Sequence, residues 1–102
     1  MLEEWWKRRN FITSQISFQI ERTLHISEMM ANLHKQEPKK EVFEQIHSAK
    51  LNMVDDLYIV REQMKAKYRK WKDRNLLKEE FYRQRISQIS AALLKIKEIS
   101  KW

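Results

Sequence analysis

A chain of 102 residues with no glycine and one proline, Pro38, has few ways to turn. Glycine supplies the positive φ angles of tight hairpins, dinucleotide-binding turns and phosphate-cradling loops. An average soluble domain of this length carries roughly seven glycines. Their absence argues against those architectures and favours long helices with few connections. Good helix formers are abundant, led by Ala, Leu, Glu, Lys, Gln, Arg and Met. The length bounds the chain to a single domain, residues 1–102, with a modest core.

Periodicity divides the chain into three helices. The first spans about 2–34, with Trp5, Ile12, Ile16, Ile26, Met30 and Leu33 on a heptad-like stripe. Ile20 and Leu24 widen that stripe, and Gln19 and Thr23 interrupt it. Its breadth suits a globular bundle more than a coiled-coil seam. Phe11 and Phe18, seven residues apart, share a neighbouring face. Packing on a third helix is the expected use of that face, and a partner-binding ridge is the sharper alternative.

The second helix spans about 38–72. Pro38 cannot continue a helix but suits the first turn of the next. Phe43, Ile46, Met53, Leu57, Val60, Met64 and Trp71 recur at three and four. Lys50 and Lys67 fill the remaining stripe positions and are expected to snorkel, stem on the core and charge outside. The third helix spans about 75–102, capped by Asn75 or Asp73, with Glu79 and Glu80 near its positive end. Its apolar residues include Leu77, Phe81, Ile86, Ile89, Leu93, Ile96 and Ile99.

Short connections make neighbouring helices antiparallel. The expected fold is all-α, an elongated antiparallel three-helix bundle running up, down and up. An alternative remains, because the second stripe extended at 3.6 residues per turn falls close to Ile89 and Ile96. It is a helical hairpin with one long second helix, dimerising into a four-helix bundle. The polar gap from Lys72 to Asn75 favours a turn there. This layout resembles spectrin-like repeats in architecture alone. The stretch K-A-K-Y-R-K-W-K-D, residues 65–73, loosely resembles the basic recognition helix of homeodomains. The asparagine-containing context and preceding short helices of that family are missing, so its function is not carried over.

Charge is unevenly placed along the chain. The net charge is +7, and residues 1–15 and 61–85 together account for all of it. Antiparallel packing brings those two segments to one end, with Trp5, Trp6, Tyr68 and Trp71 nearby. Seven bases fall between Arg61 and Arg74, opposed by Glu62 and Asp73. Arg61, Lys65, Arg69 and Lys72 form one stripe, and Lys67, Lys70 and Arg74 another. Met64, Tyr68 and Trp71 lie between, at core positions. Two or three cations suffice to complement a helix macrodipole. The excess attracts phosphates, an acidic protein or an anionic membrane surface. Glu3–Lys7, Glu4–Arg8 and Glu79–Arg83 have the spacing of stabilising i,i+4 pairs, which makes Lys7, Arg8 and Arg83 weaker binding candidates.

Chemistry finds little support. The chain has no cysteine, hence no disulfide or thiolate, which fits a reducing compartment. The longest apolar run, Ala91–Leu94, falls far short of the ~20 residues of a membrane span. The acidic, aromatic start M-L-E-E-W-W is unlike a signal peptide. A cytoplasmic location is expected. Glu44 and His47 have E-x-x-H spacing, but a bundle metal site needs a second such pair and further glutamates. Glu21 and His25 are four apart, and the third helix has no histidine. Asp55 and Asp56 point about 100° apart and form no shared-proton dyad. The serines cannot occupy a nucleophile elbow without glycine. No enzyme activity, metal or cofactor is expected.

The expected function is a non-catalytic helical protein–protein interaction module: an adaptor, assembly factor or small regulator. Its partner is another protein or a second copy in a homodimer, met through spare aromatics Phe11, Phe18 and Trp102. The alternative is nucleic-acid binding through Arg61, Lys65, Lys67, Arg69, Lys70, Lys72 and Arg74. That segment is Lys-rich and lacks base readers, so contact would be mainly to the phosphate backbone. Peripheral membrane binding ranks third, because the basic face is expected to lack a matching exposed apolar face.

Overall fold

The computed structural model describes residues 2–101, with side chains from Glu4 onward. It contains three helices, α1 (Leu2–His34), α2 (Lys40–Trp71) and α3 (Leu76–Ile99), and no strand among the described residues. Every pair of helices packs together, in a rod of 54 × 22 × 15 Å. The up-down-up bundle is the observed fold. The long-second-helix alternative is replaced by a break after Trp71.

Both turns form without glycine, each by placing one ordinary residue in the left-handed region. Glu37 has φ 50° and Asp73 has φ 63°. Lys39 then takes an extended conformation, φ −59° and ψ 141°, and α2 begins at Lys40. Pro38 therefore precedes the helix instead of occupying its first turn, because the chain is still crossing between helices there. At the second turn, Asn75 is the cap: its Oδ1 accepts from the Lys78 amide at 3.1 Å. Asp73 serves the reversal instead.

The core joins Ile16 and Ile20 of α1, Leu57 and Met64 of α2, and Phe81, Tyr82, Ile89, Leu93 and Ile96 of α3. Tyr68 and Trp71 pack against it half-buried, as the periodicity predicts. The interruption of the α1 stripe has a simple form. Thr23 and Ser27 are fully buried, and their hydroxyls donate to the carbonyls of Gln19 and Thr23, each at 2.7 Å. Back-bonding satisfies these hydroxyls within the helix, so they need no partner across the interface.

Two expectations about lysines are corrected. Lys50 does not carry its charge outside. It is 6% exposed, and its Nζ donates to Ser100 Oγ at 2.5 Å, because the end of α3 covers that part of α2. Lys67 does not lie on the core but is exposed. Near its C-terminus α2 turns the half-buried Tyr68 to the core in its place.

Burial lowers the Lys50 pKa from its usual 10.5. Between the folded and unfolded values, the unfolded chain binds more protons at this site. Stability therefore rises as pH increases through that window. Urea denaturation from neutral pH toward 10.5 checks this: wild type should gain stability relative to Lys50→Met. A pH-independent difference between the two would contradict it.

Candidate functional site

The ends of the rod differ. One holds the start of α1, the end of α2 and the start of α3, and there cations and rings alternate across all three helices. Lys70 Nζ lies 5.1 Å from the Trp71 ring centre. Lys78 Nζ lies 4.0 Å from the Trp71 ring centre and 5.1 Å from that of Trp5. Trp5 meets Phe81 edge-on at 5.4 Å. Arg9 stands over Phe81 at 5.7 Å and over Trp6 at 4.7 Å. The row thus runs from α2 through α3 to α1.

Local sequence explains each placement. Trp5 lies on the buried stripe of α1, so it reaches Phe81 and Tyr82 of α3. Trp6, one residue on, is turned about 100° away. It remains 53% exposed, beside a recess of about 170 Å³ that Leu77 also lines. A second, more polar recess of about 310 Å³ is lined by Glu4, Trp5, Arg8 and Lys78.

Residues 1–15 and 61–85, which supply this end, hold thirteen bases against six acids. Arg85 stands over Phe81 at 5.1 Å, and its Nη1 donates to Thr13 Oγ1 at 3.2 Å. Its Nε is buried with no hydrogen-bond partner among the described residues. Burial, and then repulsion from Arg9, lowers the Arg85 pKa. The Tyr82 hydroxyl titrates higher than usual because it is buried, an effect the nearby Arg8 charge partly opposes. Arg83 is different. It pairs with Glu80, not with the expected Glu79, its Nε donating to Glu80 Oε2 at 3.0 Å. Hydrogen bonding to Arg83 holds the Glu80 carboxyl below its usual range. The expected partner of Lys7, the Glu3 side chain, lies outside the described side chains.

The seven basic candidates on α2 and the following turn divide. Arg61 turns toward α3, its Nη1 3.5 Å from Ser90 Oγ and its guanidinium 4.9 Å from the Tyr58 ring. Lys65 is half-buried and paired with Glu62 at 3.2 Å. Lys67, Arg69, Lys70, Lys72 and Arg74 are exposed, and none forms an ion pair among the described residues. The expected lack of apolar surface near the bases is corrected, since Trp6, Leu76 and Leu77 are exposed at this end.

Phe11 and Phe18 do not pack on α3. They are 65% and 56% exposed, because α3 meets the opposite flank of α1 through Trp5 and Thr13. Met29 is also exposed. At about 100° per residue, Phe11, Phe18 and Met29 fall within about 20° of one line along α1. Arg22 lies over Phe18 at 5.4 Å. Trp102, the third aromatic expected to be spare, lies outside the described residues.

Asp55 and Asp56 are both exposed. His47 stacks on Phe43 with ring centres 5.8 Å apart. Among the described residues no three His, Asp or Glu side chains group as a metal site would require. No described helix is long and apolar enough to cross a membrane. Sequence reasoning missed the contacts of Lys78 and Arg85, since both depend on which residues of α1 lie opposite α3. A comparison with known proteins finds no matching family model, curated protein or solved structure.

Lys78 touches rings from two other elements, so its removal should loosen this end. Lys78→Ala is expected to cost about 1–2 kcal/mol, and Lys78→Arg less. Urea titration of both variants checks this.

Proposed function

We propose that the chain is a non-catalytic helical interaction module, acting in the cytoplasm, that binds a protein partner along the outer face of α1. One observation carries this reading: Phe11, Phe18 and Met29 form an exposed apolar line that no other helix of the bundle covers. Spacings of seven and eleven residues present such anchors to a partner helix. The absence of cysteine fits a reducing compartment.

Photo-crosslinking in cells, with a photoreactive residue at position 11 or 18, tests the reading. A discrete protein adduct, either another chain or a second copy, should recur at both positions and be missing when the group is at Glu98. Phe11→Ser/Phe18→Ser should lose the partner without losing helicity, since both residues lie outside the core. Adducts of equal yield at all three positions would count against this face.

A second reading is favoured by the five exposed bases without acidic partners. In it, the basic end contacts the phosphates of nucleic acid. Binding to duplex and single-stranded oligonucleotides over a salt series should then weaken steeply as salt rises. Replacing Lys67, Arg69, Lys70 and Lys72 by Glu should abolish binding. A flat salt response would remove this reading.

A further inference from the structure

From the row of rings and cations at the basic end, we infer a binding surface for single-stranded nucleic acid, on which an unpaired base stacks against Trp6 while phosphates follow the cations. The inference rests on the second reading, phosphate contact by this end, and adds the strand type and residues from α1 and α3.

Three observations carry it. First, the exposed Trp6 indole, with Arg9 over one part of it, borders a recess that Leu77, Gln84 and the Arg83-paired Glu80 also line. An accessible indole beside cations is what a base needs for stacking, and stacking tolerates any sequence. A paired base within a duplex keeps its faces covered by its neighbours and cannot use it. Second, Lys70, Lys78 and Arg9 occur at intervals along a row that crosses the end of the rod. A flexible strand can follow such a row, and a stiff duplex has no matching groove. Third, Arg9 and Arg85 flank the Phe81 ring, both within 6 Å of its centre, with no carboxylate paired to either among the described residues. Two cations around one ring raise the local positive potential, which attracts an anion.

Acidic groups at the same end distinguish a strand from a membrane. Glu4 and Asp73 are exposed there, and Glu80 follows Leu76 by four residues, next to that apolar surface. A membrane plane pressed on this end would bring anionic headgroups against these carboxylates. A strand covers a narrower track than a membrane plane and meets Glu80 at the Trp6 recess and Glu4 beside Lys78, where Arg9 and Arg8 also line the surface.

The test is fluorescence anisotropy with an oligonucleotide of about 12 nucleotides. The single strand, the duplex of the same sequence, anionic phospholipid vesicles and polyglutamate are compared over a salt series. The single strand is expected to bind at least about ten-fold tighter than the duplex. Trp6→Ala should remove that preference with unchanged helicity, and Trp6→Phe should keep most of it. Neutralising Lys70, Lys72 and Arg74 to Gln should reduce the log–log salt slope by about 2. Equal binding of duplex and single strand, unaffected by Trp6→Ala, would overturn the stacking inference and leave phosphate contact standing. Preference for vesicles or polyglutamate, or no binding to nucleic acid at all, would overturn both.

Discussion

Ile16, Leu57 and Ile89, one from each helix and all almost wholly buried, belong to the single cluster that closes the bundle. Without that shared core, none of the three helices has a place for its apolar face. Propensity alone rarely holds a helix of this kind in water. Burial of the common core sets which residues of each helix face inward, and so which remain outside.

The packing has an electrostatic consequence. Charges that lie far apart in the chain, around Arg8, Lys70 and Lys78, come together at one end. Aromatic faces take up several of these cations: Lys78 lies over Trp5 and Trp71, and Arg9 over Trp6 and Phe81. Aromatic rings attract cations without neutralising them. The end keeps its positive field while staying packed. The α1 face with Phe11 and Phe18 is a separate exposed surface with apolar character.

Lysines show how far pattern reading reaches. Lys50 and Lys67 both fill the three-and-four pattern of α2 but lie about 100° apart around its axis, and one is buried against Ser100 while the other faces solvent. A three-and-four count treats them alike, whereas about 100° per residue puts Tyr68, not Lys67, in line with Lys50. The difference arises because α3 covers α2 at one level and draws Tyr68 inward at the other. Phe11 and Phe18 give the same lesson. Their spacing of seven was visible, but whether α3 lay beside them was not, since handing α3 to the other flank of α1 leaves the sequence pattern unchanged.

By itself the sequence determined the all-helical class, the break at Pro38, the core-facing residues Leu57, Met64 and Ile89, and the excess of base near residues 61–85, and it left a turn or one long helix open after Trp71. These follow from local physics: helix propensity, 3.6-residue periodicity and the scarcity of turn-forming residues. The tertiary structure alone decided that Lys78 meets Trp5 and Trp71, that Arg85 reaches Thr13, and that Arg61 turns inward to Ser90 while Lys70 stays outside. Those contacts depend on the register and handedness of packing, and many side chains acting together set these.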